Sequence, residues 1–199
     1  MFDCTICPTR CDGKSVGQYH FERDVAFSEN IENEIIAAIN AHYPHLIATK
    51  TTREGYPDIE LCRQTAPQQP VAFVEIKVQT RTFMTIKRYL PQSQLHPSET
   101  LALNLSDLER YFTIKNTEQL PLYIVWCLMN RPCVLSGKTR QFYYQEIIKL
   151  QQIYQKAGKT RRFRRETGIG DVVNGIHKGV TVNYHFSLNE LQEGLAFLT

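Results

Sequence analysis

Apolar and polar residues alternate in two short stretches that predict neighbouring β-strands, one beginning at Pro57 and one over residues 71–79. Side chains on a strand alternate between the two faces of a sheet, so Glu75 and Lys77 share one face and Asp58 lies on the polar face of the first strand. An acid and an amine inside an apolar strand are costly to desolvate unless they are paired or bound to a metal. This conflict between pattern and polarity is typical of a functional site.

A helix over residues 28–42 is predicted from isoleucines at helical spacing, with Ser28 as its N-cap. Glu32 falls inside that isoleucine stripe, where a carboxylate either bends out at the rim of the core or faces the same cleft as the strand acids. The remaining pattern predicts strands over residues 45–50, 122–129, 141–144 and 180–186, a loop over 64–70, helices over 106–115 (capped by Ser106) and 147–154, and a last helix opened by a capping box at Ser187.

These elements predict a mixed α/β fold, with a central mixed sheet flanked by helices. A chain of 199 residues with 42% hydrophobic residues is long and apolar enough for one proper core. We expect a leader over residues 1–27 and one domain over residues 28–199. No apolar run is long enough to cross a membrane, and the N-terminus lacks the pattern of a secretory signal, so a cytoplasmic location is expected.

Three cysteines crowd the leader as Cys4, Cys7 and Cys11, and His20 follows them. Zinc takes four such ligands in a tetrahedron, and two residues between thiolates suit a short metal knuckle. The spacing is not one of the paired patterns that identify zinc sites strongly, and another cysteine or histidine could supply the fourth ligand. A structural Zn²⁺ and a leader with ordinary thiols both remain open.

Charge is unevenly distributed along the chain. Residues 1–60 carry five Lys or Arg against ten Asp or Glu, whereas residues 138–165 carry nine Lys or Arg and one Glu. The strongest basic run consists of Lys159, Arg161, Arg162, Arg164 and Arg165. Guanidinium groups bind phosphates bidentately, so this run is a candidate nucleic-acid contact; a solvated loop is the alternative.

The acids on the predicted strands are suited to a hard divalent cation. Asp58 and Glu75 can hold Mg²⁺, with the carbonyl of Ile76 as a further ligand. Lys77 reaches the same cleft, where it can orient an attacking water or help to deprotonate it if its pKa is depressed. Glu32 would complete the shell from the helix. Surface ion pairs on one wet face of the strand pair are the structural alternative.

At these residues the sequence resembles the PD-(D/E)xK nuclease superfamily, which has the restriction-endonuclease-like fold. The matching motifs are Ile-Glu-x-x-Ile-Ile around Glu32, Gly-x-Pro-Asp ending at Asp58, and Glu-x-Lys at Glu75 and Lys77, followed by Gln79. The resemblance covers roughly residues 28–130 and includes the order helix, three strands, helix, strand. Each motif alone is common, and their order and spacing give the combination its specificity.

The resemblance implies an endonuclease that hydrolyses phosphodiester bonds in DNA with Mg²⁺ or Mn²⁺. Asp58, Glu75 and Ile76 would bind the metal, Lys77 would serve the water, and Glu32 and Gln79 would support the site. A non-catalytic nucleic-acid-binding or assembly module that retains the fold is the alternative, and a zinc-dependent protein that recruits a partner is a third. DNA is the expected partner, and a homodimer is left open.

Overall fold

The computed structural model describes residues 21–164, 172–173, 176–177 and 182–198. The candidate zinc ligands Cys4, Cys7, Cys11 and His20 lie outside these residues, and so does Arg165. The helices and strands, in chain order, are α1 (Phe21–His42), β1 (Leu46–Lys50), β2 (Ile59–Arg63), β3 (Ala66–Gln79), α2 (Ile86–Tyr89), β4 (Thr100–Asn104), α3 (Leu105–Glu118), β5 (Leu122–Met129), α4 (Pro132–Leu135), β6 (Arg140–Glu146), α5 (Ile147–Ala157), β7 (Arg162–Arg164), β8 (Val172–Val173), β9 (Ile176–His177), β10 (Val182–Ser187) and β11 (Gln192–Glu193).

A six-stranded mixed sheet forms the centre of the fold, in the order β1-β2-β3-β5-β6-β11. The strands β1, β2 and β3 pair in an antiparallel manner, and β5 then pairs with β3 in parallel. The connection between β3 and β5 contains α2, β4 and α3, because parallel neighbours need a long crossover. The predicted mixed α/β class with a central mixed sheet is therefore confirmed.

The sheet has a different apolar core on each face. On one face, the isoleucines of α1 pack against Ile59, Leu61, Val74 and Ile76. On the other face, α3, α5 and a three-stranded sheet of order β4-β10-β7 cover Trp126 and its neighbours. Because Ile59 and Val74 face α1, the alternating positions that carry Glu75 and Lys77 face the α3 side. The two faces of the strands are those that the sequence predicted.

Three predicted boundaries are wrong. The first helix begins at Phe21, so Ser28 lies inside α1 and is not its N-cap. The helix α3 begins at Leu105 with Asn104 as N-cap, so Ser106 lies one residue inside the helix. The expected loop over residues 64–70 is reduced to a short turn, because β3 already begins at Ala66.

Two further differences have local causes. The early part of β3 contains two prolines, which cannot donate to a ladder, and the register with β2 shifts twice there. The capping box at Ser187 is present, but it opens only a single 3-10 turn, Leu188–Glu190, because the chain then joins β6 as β11. Within the described part of the chain, no helix is long and apolar enough to span a membrane.

Candidate active site

Asp58 and Glu75 lie against each other where the pairing of β2 with β3 ends. The ladder between these strands begins at the pair Ile59–Val74, so Asp58 lies just outside it. The Asp58 N–H donates to Glu75 Oε2 at 3.3 Å, and the Ile76 N–H donates to Asp58 Oδ2 at 2.8 Å. Each carboxylate is thus held by a backbone N–H of the segment that carries the other acid.

The turn before Asp58 depends on a glycine. Gly55 has a φ of 78°, in the left-handed region that L side chains rarely adopt. The backbone then returns so that the Thr51 N–H donates to the Asp58 carbonyl at 2.9 Å. The Gly-x-Pro-Asp motif therefore places the Asp58 side chain at the start of β2 and directs it towards Glu75.

The close approach of the two acids changes the ionisation of Asp58. Burial, followed by the charge of Glu75, raises the pKa of Asp58 from an ordinary value of 3.8 to about 7. The Ile76 N–H and Lys77 lower that pKa in part, while Glu32 raises it further. Glu75 is only 3% exposed. Near neutral pH, Asp58 is therefore about half protonated, and a bound cation would displace that proton.

We expect Asp58→Asn to stabilise the metal-free protein, by an amount that grows with pH. The pKa of Asp58 in the folded state lies above its pKa in the unfolded state. The stabilisation by neutral Asp58 is therefore fully present below about pH 4 and is lost as pH rises through about 7. The full shift corresponds to roughly 4 kcal/mol, and we expect about 2 kcal/mol because Asp58 is partly exposed. Thermal unfolding in EDTA at several pH values measures the difference; equal melting temperatures at every pH would contradict it.

Lys77 pairs with the acids from the same strand. Its Nζ forms an ion pair with Glu75 Oε1 and lies 3.9 Å from Asp107 Oδ2 on α3. Burial alone would lower the pKa of Lys77, but Glu75, Asp107 and Asp58 outweigh it and hold that pKa above its ordinary value. Lys77 is therefore an ammonium ion at neutral pH, and the general-base role, which requires a depressed pKa, does not fit this geometry.

The helix α3 supplies three site residues that the sequence reasoning missed. The Tyr111 hydroxyl donates a hydrogen bond to the Glu75 carboxylate. Burial, followed by the charge of Glu75, raises the pKa of Tyr111. Arg110 pairs with Asp107 at 2.9 Å and lies 3.4 Å from the Tyr111 hydroxyl. Tyr111 is also a core residue, because its side chain is buried in the cluster on this face of the sheet. Its contact with Glu75 has no local signal, because it depends on how the crossover helix packs on β3.

Glu32 approaches the acids from α1 but is engaged elsewhere. Its Oε2 lies 3.3 Å from Lys50 Nζ at the end of β1, and its side chain is 15% exposed. The charge of Glu32 contributes to the raised pKa of Asp58. Glu32 thus bends out at the rim of the α1 core, as one sequence interpretation had it, and remains within electrostatic range of the cleft.

The comparisons with known proteins give a likeness in structure and none in sequence. No protein-family model matches the sequence, and no curated protein matches it. Among solved structures, the chain is similar to Hjc, a Holliday junction resolvase from the archaeal hyperthermophile Archaeoglobus fulgidus, with a TM-score of 0.45 and 10% sequence identity over 86% of this chain and 95% of that chain.

The topology itself decides the fold class. A helix precedes three antiparallel strands, and a crossover that includes α3 leads to a fourth strand parallel to the third. This is the order that the motif resemblance implied. The core is restriction-endonuclease-like. Within this restriction-endonuclease-like core, the Pro-Asp motif directly precedes β2 and the Glu-x-Lys motif lies on β3. The side chain of each acid accepts a hydrogen bond from a backbone N–H of the other segment.

Gln79 holds the restriction-endonuclease-like core to the second sheet. Its Nε2 donates to the Thr100 carbonyl at 3.2 Å, and its Oε1 accepts from the Ala102 N–H at 3.1 Å. These two bonds occupy both ends of the amide and attach the end of β3 to β4. The side chain that was predicted to support the site is thus engaged with backbone.

The predicted basic loop is a 3-10 turn followed by the edge strand β7. Arg161 pairs with Glu190 at 2.6 Å, and Arg162 donates to the Tyr154 hydroxyl. Lys159 and Arg164 are exposed. The run therefore divides into arginines that hold the second sheet together and cations that remain at the surface.

The donor set at Asp58 and Glu75 fits a hard divalent cation. Among the described residues, no three Asp, Glu, His or Cys side chains group closely enough to hold an ion by themselves. Mg²⁺ does not require this, since it is usually held by one or two carboxylates and keeps several waters. The N–H and C=O groups of a strand residue point to the same side of the strand. Because the Ile76 N–H donates to Asp58, the Ile76 carbonyl also points to the side of β3 on which Asp58 lies.

Proposed function

We propose that the protein is a metal-dependent endonuclease that hydrolyses phosphodiester bonds in DNA. The observation that carries the proposal is the contact between Asp58 and Glu75, with the pKa of Asp58 raised to about 7 and an ammonium group beside them. A buried acid beside a half-buried acid and a lysine is an arrangement in which perturbed ionisation favours a catalytic role. The choice of DNA rests on the motif resemblance.

Asp58, Glu75 and the Ile76 carbonyl would hold Mg²⁺ or Mn²⁺. When bound, the cation would offset negative charge on the phosphoryl oxygens and acidify a water. Its charge would also offset the burial and the repulsion from Glu75 that raise the pKa of Asp58. The restriction-endonuclease-like core thus supplies oxygen ligands of the type that this ion prefers.

The other residues of the site position the reacting groups and set the charge of the cleft. Lys77, as an ammonium ion, donates hydrogen bonds to the attacking water or to a phosphoryl oxygen. Tyr111 fixes the orientation of the Glu75 carboxylate through its hydroxyl. Glu32 adds negative charge near Asp58, and this increases the attraction of the cleft for a cation.

A non-catalytic nucleic-acid-binding module is the second candidate, and one observation favours it. Lys77 pairs with Glu75 and Lys50 pairs with Glu32 within the described part of the chain, so two of the acids form a network of ion pairs with lysines of the protein itself. Such a network can be purely structural. The two candidates differ in whether a divalent cation enters the network.

The test is incubation of the purified protein with supercoiled plasmid in Mg²⁺, in Mn²⁺ and in EDTA. The proposal expects nicked or linear plasmid with either metal and none in EDTA. Salt-dependent DNA binding with no nicking in any of the three would instead support the binding module. Short single-stranded and duplex oligonucleotides in the same assay identify the form of DNA that is cut.

A further inference from the structure

Two segments that are distant in sequence meet at the surface beside the second sheet. The short helix α2 packs its buried Ile86 against Phe163 of β7, in a small apolar cluster with Leu90 and Leu95. The ring of Tyr89 lies 4.9 Å from the ring of Phe163, at an interplanar angle of 43°. This contact brings the exposed residues of α2 next to those of the basic run.

The joined surface is cationic. Lys87, Arg88 and Lys159 are exposed, and among the described residues none of the three forms an ion pair with an acid. Arg161 and Arg162 are bound to Glu190 and Tyr154, and Arg162 and Arg164 lie on the face of β7 opposite Phe163. Cations without acidic partners attract a polyanion and give affinity that falls with added salt.

An aromatic ring lies within this cationic surface. Tyr89 is 45% exposed, one of the two most exposed large apolar side chains of the described residues. Phe163 supports its ring, and the guanidinium of Arg88 lies 5.6 Å from the ring centre. An aromatic ring held among phosphate-binding cations is the arrangement on which unpaired bases stack.

We propose that Lys87, Arg88, Tyr89 and Lys159 form a binding surface for a single-stranded segment of DNA. The cations contact successive phosphates, and an unpaired base stacks on Tyr89. A continuous duplex would meet the same cations but could not offer a base face to the ring, because its bases are stacked within the helix. The surface therefore favours DNA with an unpaired stretch over fully paired DNA. This inference rests on the proposed function for the identity of the polymer.

The test compares the binding of a labelled single strand with that of a duplex that contains the same strand. Both are measured in EDTA, where no metal-dependent cutting occurs. Tyr89→Ala is expected to weaken binding of the single strand about tenfold and to change duplex binding little, whereas Tyr89→Phe keeps both. Lys87→Ala combined with Arg88→Ala is expected to weaken both and to reduce the salt slope for the single strand by about 1.4.

Arg63→Ala is the matched control, because Arg63 is an exposed cation on the α1 side of the central sheet, where it lines an apolar groove. The inference is overturned if Tyr89→Ala binds the single strand as the parent does, if it weakens the duplex equally, or if Arg63→Ala loses as much as the double variant. Unchanged melting temperatures verify that each variant is folded. Cutting of plasmid by these variants is measured separately. If the binding inference fails but plasmid is nicked, the nuclease proposal still stands. If the single-strand preference is present but plasmid is not nicked, the binding inference stands and the nuclease proposal fails.

Discussion

Asp58→Asn is expected to lower metal-dependent cleavage by about 10³-fold or more and to leave DNA binding in EDTA unchanged. The substitution keeps an oxygen that can accept the Ile76 N–H, so the local backbone should be preserved. It removes one of the two carboxylates that would hold the cation, and a metal's charge stabilisation is worth several kcal/mol in the transition state. Rates of plasmid nicking at saturating Mg²⁺ measure the loss.

Glu60→Gln is the matched control for that substitution. Glu60 lies two residues further along β2 and pairs with Arg53 at 3.0 Å, away from Glu75. Loss of this partly exposed pair should cost less than about 1 kcal/mol and should leave cleavage close to that of the parent. If Asp58→Asn nicks plasmid as fast as Glu60→Gln does, Asp58 is not a ligand for the cation.

Lys77→Met is expected to reduce both cleavage and stability. Glu75 is 3% exposed, and without its ammonium partner its carboxylate would be buried with less compensation. Breaking such a pair costs about 3–5 kcal/mol when it is fully buried, and we expect about 2 kcal/mol because Lys77 is 31% exposed. Cleavage should fall about 10²-fold or more once the charge near the phosphoryl group is lost.

Two further variants separate these effects. Glu75→Gln combined with Lys77→Met removes both charges and should recover most of the lost stability, while cleavage is not restored. Lys115→Met, in the last turn of α3, should alter neither property. Thermal unfolding and plasmid nicking are measured on the same preparations. Full cleavage by Lys77→Met, at a temperature where it is folded, would show that the ammonium has no part in the reaction.

The strand faces could be predicted from the sequence because period-two alternation is a local signal. Ile59 and Val74 had to face a core, and this alone placed Asp58 and Glu75 on the other face. The long crossover between β3 and β5 carries Asp107 and Tyr111 to the same place, and no spacing in the sequence encodes that contact. The site was therefore predictable where its residues lie on neighbouring strands, and not where it depends on packing between distant elements.

The errors in helix limits have physical reasons, and so does the strand in the basic run that the sequence interpretation did not predict. Ser28 is a good N-cap residue, but residues 21–27 contain no glycine or proline to stop a helix, so α1 continues through it towards its N-terminus. The basic run was read by its charge alone. Its Arg162-Phe163-Arg164 alternation has the period of a strand, and β7 follows it by pairing with β10.

Direct measurement of Mn²⁺ binding tests the central claim, that Asp58 and Glu75 together hold one divalent cation. Mn²⁺ titrations followed by electron paramagnetic resonance, without DNA, should give about one site per chain that Asp58→Asn removes and Glu60→Gln retains. Because the ion displaces the proton on Asp58, affinity should rise as pH increases through about 7. Absence of any bound Mn²⁺, or a site of equal strength in Asp58→Asn, would contradict the account.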